Sequence, residues 1–384
     1  MGNNSSHSYG LILMIALLLA GGGMYNYYKL SLLMPSIIAD FEFSYGVAGL
    51  LAGFFGLIQL LLSIPLGMLV RGPSLRKVTA YALVVLILGS LLVCVVSDPY
   101  VLFVARLIEG AGAALALVAA PFLIYEVFAK QRVWLGLGVL MLFNPVGNIL
   151  GLNVTSWFLK MFGWRGAWLT GVILPALALA LLLVTKPVEI RIMSRSSITV
   201  KSGLGERLLI GLLQLGYSLT AMGFLMWAPT YMIEVYSFDA SNASFITSLF
   251  MLIGMPTPII GVWLSDKVGS RKVILAPSFG ALALLYPLTT FTPSHLLPLH
   301  ILAAGFFSGV VPAVIHICVV DLLGPYSNIG FGILNASRGF SLLFGPLILG
   351  AILNATSSWM LSFASLSLFA FLALICSLLL PRIK

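Results

Sequence analysis

Long apolar stretches, broken at intervals by charged or turn-forming residues, run the whole length of the chain. A helix needs roughly 20 mostly apolar residues to cross a bilayer, and these stretches predict twelve such helices. The first six fall at about 10–36, 45–70, 78–97, 100–127, 133–159 and 165–186. The second six fall at about 208–233, 242–265, 273–291, 296–320, 329–353 and 358–380. Short connections make sequential neighbours antiparallel. One interruption is longer: residues 187–207, PVEIRIMSRSSITVKSGLGER, are polar, basic and serine-rich. That composition predicts a linker along a membrane surface. It divides the chain into a bundle of residues 1–186 and a bundle of residues 208–384. The expected fold class is therefore an all-α membrane protein, with twelve transmembrane helices in two six-helix bundles.

Composition agrees. The chain is 60% hydrophobic and 8% charged, against about 25% charged residues in soluble domains. Its natural solvent is lipid. The net charge of +9 does not point to nucleic acid, because the basic residues are few and sit in loops. Arg71, Arg76, Lys77, Lys130, Arg132 and Lys186 lie on one predicted side. So do Arg191, Arg195, Lys201, Arg207, Lys267, Arg271, Lys272, Arg382 and Lys384. Together they are fifteen of the 20 basic residues. The positive-inside rule then places both termini and the linker in the cytoplasm of a multi-pass protein of the cell membrane.

The two halves echo each other. GMLVRGPSLRK after span two parallels GVWLSDKVGSRK after span eight. Glu126 ends span four where Asp321 ends span ten, and Gly110 and Gly112 parallel Gly305 and Gly309. Asn144-Pro145-Val146-Gly147 in span five parallels Gly345-Pro346 in span eleven. Paired halves with matched Gly/Pro interruptions are the signature of a secondary transporter.

The run Asp266-Lys-Val-Gly269-Ser-Arg271-Lys272 resembles the cytoplasmic loop motif of the major facilitator superfamily. Arg106-x-x-Glu109-Gly110-x-Gly112 is similar to that superfamily's span-four motif, and Phe162-Gly-Trp-Arg-Gly-Ala-Trp168 to its entry into span six. The resemblance covers essentially the whole chain. It implies two pseudo-symmetric bundles that rock against each other, with Asp266, Gly269, Arg271, Glu126 and Asp321 as gating residues. Arg71 and Ser74 stand where the family has Asp and Gly, which puts the first-half latch in doubt.

Four ionisable residues fall inside predicted spans: Lys29, Arg106, Glu109 and Arg338. A central Arg or Lys costs about 2.5–3.5 kcal/mol even on insertion scales, so such residues face a cavity or a partner. Tyr25 and Asn26 precede Lys29 by about one turn, and Asn335 precedes Arg338. Three cations against one carboxylate welcome an anion. Lys29, Arg106, Arg338, Tyr25, Asn26 and Asn335 are the expected substrate-binding residues, lining one central cavity. Glu109 is the expected carrier of a coupling proton, since burial favours its neutral form and Arg106 its charged form. The cation in span one with Arg106-x-x-Glu109 is similar to the pattern of anion:cation symporters in the superfamily.

The function expected is secondary transport of a small organic anion, coupled to protons, by a monomer in membrane lipid. Drug/proton antiport is the alternative, because Asn144-Pro145-Val146-Gly147 half matches the span-five pattern of such exporters. Cys94, Cys318 and Cys376 show no metal spacing and the four histidines are scattered. No metal, cofactor, nucleic acid or enzymatic reaction is expected.

Overall fold

The structure, a computed structural model, describes residues 3–69, 75–93, 98–127, 133–185 and 203–381. The described residues form fourteen α-helices. In chain order they are α1 (Asn3–Phe41), α2 (Tyr45–Leu69), α3 (Leu75–Leu92), α4 (Pro99–Val127), α5 (Val133–Leu140), α6 (Phe143–Trp168) and α7 (Ile173–Val184). There follow α8 (Leu204–Tyr236), α9 (Ala240–Gly254), α10 (Thr257–Val268), α11 (Lys272–Leu288), α12 (Leu297–Leu323), α13 (Ser327–Thr356) and α14 (Trp359–Leu379). With no water in a bilayer core, backbone groups must be satisfied within the segment, so apolar runs of this length become helices.

Fourteen helices make twelve crossings. Ten segments among the described residues are long and apolar enough to span, and a shorter apolar helix, Tyr45–Leu61, lies within α2. One of the ten, Leu135–Val184, has 50 residues. As a helix it would be about 75 Å long, more than twice a bilayer core of about 30 Å. It turns back at Gly163, whose φ of 67° is left-handed, a conformation that glycine adopts without steric cost. Two spans are interrupted inside the apolar zone. Span five is α5 followed by α6, broken at Met141–Leu142, and span eight is α9 followed by α10, broken at Met255–Pro256. At the second break Pro256 and Pro258 remove two backbone donors.

Contacts divide the chain into two units. One holds Met1–Ser36 and Leu57–Arg195, the other Ile37–Gly56 and Ser196–Lys384. Helix α2 is thus shared between them. The linker expected at 187–207 lies outside the described residues up to residue 202, and α8 begins at Leu204. Arg71, Ser74, Lys130, Arg132 and Cys94 also lie outside them.

In the second unit α12 packs against α9 and α10 through small residues, the usual device where lipid supplies no hydrophobic drive between helices. A Cβ on Gly309 would lie 2.0 Å from Thr257 Oγ1 and 2.8 Å from the Gly254 Cα. Gly305 and Gly309, two of the glycines matched between the halves by sequence, therefore set helix separation here. Gly309→Ala should destabilise the protein by about 1–3 kcal/mol, the range for overpacking. Gly280→Ala, where a Cβ meets open space, should not. Thermal melting of both variants in detergent checks this, and equal melting temperatures would contradict the packing argument.

Candidate functional site

Four elements of the first unit converge on one buried charge cluster: α1, α3, α4 and the 3₁₀ turn Leu169–Val172 that joins α6 to α7. Lys29 of α1, Arg106 and Glu109 of α4, and Asn26 are all 0% exposed. The Glu109 carboxylate is shared. Its Oε1 accepts from Lys29 Nζ at 2.8 Å and its Oε2 from Arg106 at 2.8 Å. Oε1 also accepts from Ser90 Oγ at 2.8 Å and from the Trp168 indole nitrogen at 3.1 Å. The Lys29 ammonium further reaches Asn26 Oδ1 at 2.6 Å, Ser90 Oγ at 3.1 Å and the Trp168 carbonyl at 3.1 Å. Arg106 donates to the Asn26 carbonyl at 2.8 Å.

Local sequence explains why this closes. Glu109 follows Arg106 by three residues, so helical spacing puts both on one face. Asn26 precedes Lys29 by three and does the same on α1. The 3₁₀ turn presents carbonyls to side chains: Asn26 Nδ2 donates to Gly171 O at 3.0 Å as well as to Gly22 O at 2.9 Å. Position 171 admits no side chain. A Cβ there would sit 2.1 Å from Asn26 Oδ1 and 2.2 Å from Lys29 Nζ. The Trp168 ring completes the site, 4.7 Å from Lys29 Nζ and 5.9 Å from the Arg106 guanidinium, within range of cation–π attraction.

The sequence predicts that Lys29 lines a central cavity. In the structure Lys29 is fully buried and paired with Glu109. A carboxylate has two oxygens, so one Glu109 serves two cations, and the surrounding polar groups take the place of water. Tyr25 shares the helix face but turns to α6, its hydroxyl 3.4 Å from Thr155 Oγ1. Ser90, Trp168 and Gly171 were missed as site residues. Trp168 had a signal, as the last residue of the Phe162–Trp168 motif; Ser90 and Gly171 are small residues without one.

Arg338 and Asn335 are on α13, in the second unit. Arg338 is half-buried and Asn335 exposed. The charge of Arg338 acts on Tyr217 of α8 and on His316 of α12, and Tyr217 is hydrogen-bonded to Ser308. His316 is exposed, its Nδ1 2.6 Å from the Pro312 carbonyl.

The expected gating residues of the second unit do meet. Gly269 ends α10 in the left-handed region, with φ 68°, and turns the chain so that Arg271 reaches back. Arg271 bonds Asp266, Ser265 Oγ at 2.8 Å and Asp321 Oδ2 at 3.0 Å. Burial disfavours the guanidinium charge, but the two carboxylates outweigh it and hold Arg271 above the ordinary arginine value. Asp266, in the last turn of α10, therefore pairs with the Arg271 of the following turn, and α11 begins at Lys272 with no side-chain cap. The Glu126 side chain lies outside the described residues.

The sequence profile of the Major Facilitator Superfamily matches residues 13–299 and 210–384, in effect the whole length. The chain belongs to the major facilitator superfamily. It is a membrane transporter of the twelve-helix, two-bundle class, not an enzyme. The gallate transporter of Pseudomonas putida is 25% identical over 94% of this chain and 90% of that one. A probable sulfoacetate transporter of Cupriavidus necator is 26% identical, but the match spans only 36% of this chain and 35% of that relative. The crystal structure of a nucleoside transporter, NupG, superposes with a TM-score of 0.79 at 16% identity, covering 96% of this chain and 99% of that one. That likeness shows the fold alone.

Gly171→Ala should break the cluster, since the new methyl group overlaps two of its polar atoms. The expected result is a protein that folds in lower yield and melts well below wild type. A melting temperature equal to wild type would mean that the turn yields without strain.

Proposed function

We propose that the protein is a secondary active transporter of a small organic anion, driven by protons and working by alternating access as a monomer in the cell membrane. Both termini and the residue 187–207 linker face the cytoplasm in this reading, as the clustering of basic residues supports. The observation that carries it is the sharing of Glu109: two fully buried cations divide one carboxylate.

A transported anion has the chemistry of the Glu109 side chain and competes for the same donors. Protonation of Glu109 frees Lys29 and Arg106 for the substrate, and loss of that proton on the other side of the membrane displaces it. In the second unit Arg338, with Tyr217 near it, and Asn335 are the anion-binding residues of this reading. Release and remaking of the Arg271 bonds to Asp266 and Asp321 accompany the change of state. Relatives that carry gallate and sulfoacetate support an anionic cargo.

Uptake of labelled acids by proteoliposomes, with and without a pH gradient, tests the reading. Arg338→Ala should abolish uptake at near-normal expression; unchanged uptake removes Arg338 from the site. Glu109→Gln should lose accumulation driven by the gradient yet retain exchange. If that variant accumulates as well as wild type at every gradient, Glu109 is a structural partner of the two cations. Orientation is checked separately, since a cysteine at Ser196 should resist impermeant thiol reagents added to intact cells.

A further inference from the structure

The seam between α1 and α6 is polar along its length. Tyr28 donates to Asn144 Oδ1 at 3.3 Å, and Thr155 Oγ1 lies 3.4 Å from the Tyr25 hydroxyl and 3.3 Å from Thr170 Oγ1. Two glycines of α6 press the helices together. A Cβ on Gly147 would be 2.6 Å from Met24 Cβ, and one on Gly151 would be 3.0 Å from the Tyr25 carbonyl. Asn148 stands between those glycines in sequence and is 0% exposed. Among the described residues neither its Oδ1 nor its Nδ2 has a hydrogen-bond partner. The other buried polar side chains of α6 are bonded: Thr155 as above, and Ser156 to the Asn153 carbonyl at 2.8 Å.

A buried carboxamide with neither side paired is costly twice over, once for its donor and once for its acceptor. Leucine is of similar size and carries no such penalty. A group of this kind calls for an explanation. The carboxamide narrows the answer, because Nδ2 donates and Oδ1 only accepts. A bare anion pairs with Nδ2 and leaves Oδ1 without a donor. A hydroxyl group donates to Oδ1 and offers lone pairs to Nδ2, so an anion whose carboxylate lies on the cations satisfies both through its hydroxyl.

We propose that Asn148 is a specificity-determining residue that hydrogen-bonds the substrate, and that the substrate is a small hydroxylated carboxylate. This rests on the anion-transport reading above and narrows it. Asn148 is fully covered in this structure, so the contact belongs to a step of the cycle in which this part of α6 is open to substrate. It lies one turn from Asn144 and beside Gly151, whose Cβ position is 3.5 Å from the Lys29 backbone nitrogen. The stretch of α6 that carries Asn148 thus packs against the stretch of α1 that carries Lys29.

The test compares 4-hydroxybenzoate with benzoate, which differ only in the hydroxyl group, as labelled substrates for wild type and Asn148→Leu in proteoliposomes. The leucine variant should melt at or above the wild-type temperature. Its KM for 4-hydroxybenzoate should rise about tenfold, the scale of one lost hydrogen bond to a substrate, while its KM for benzoate stays within about twofold. Equal KM changes for the two acids, or none, overturn the proposal and assign Asn148 to packing. Should the leucine variant fail to fold, Asn148→Ala is measured in the same way and read by the same ratio. A wild type that carries neither acid nor any other carboxylate overturns the anion reading itself, and the proposal falls with it.

Discussion

One fully buried carboxylate held between two fully buried cations is the constraint on which the first unit depends. Neither Lys29 nor Arg106 is tolerable alone at 0% exposure, and Glu109 alone would be no better. Together they satisfy one another, but only if every oxygen and nitrogen finds its place. Removing one member of a buried ionic group costs about 3–5 kcal/mol, because the partner is left uncompensated. Two positive charges against one negative also leave the cluster cationic. The same arrangement that holds α1 against α4 therefore leaves a net positive charge in the interior of the first unit.

The backbone is shaped to serve this cluster. Span six does not begin as a plain α-helix: α6 ends at Trp168, whose carbonyl meets Lys29, and the 3₁₀ turn Leu169–Val172 then delivers the Gly171 carbonyl to Asn26. Irregular backbone at membrane depth is tolerated where it is buried in protein and its polar groups are paired. Here the pairing groups are the Lys29 and Asn26 side chains of the charge cluster. Charge pairing and helix geometry are thus coupled through the Trp168 and Gly171 carbonyls.

The ionic group described in the second unit is placed differently. Arg271 with Asp266 and Asp321 lies toward the surface. The Asp266 side chain is 55% exposed, so this group is screened and weakly stabilising. It makes and breaks at little cost, which suits a latch. The Lys29–Glu109–Arg106 group is sealed, which suits a site whose charge must be felt only by what replaces water.

The sequence by itself determined the spans, the loop charges and the family, because each is written locally. Apolar length, proline and glycine breaks and the Asp266–Lys272 motif depend on neighbours along the chain. It also named the members of the cluster, since an ionisable residue inside an apolar run stands out wherever it points. Helical spacing gave the Arg106–Glu109 pair. What only the tertiary structure decided is who else shares Glu109. Lys29 lies 80 residues from it, and no periodicity links α1 to α4. Ser90, the Trp168 carbonyl and Gly171 came from elements whose sequences look like ordinary apolar helix. Nor does sequence spacing tell that Asn148 is fully covered. Burial and charge compensation are properties of packing between distant segments, and packing has no signature in any one of them.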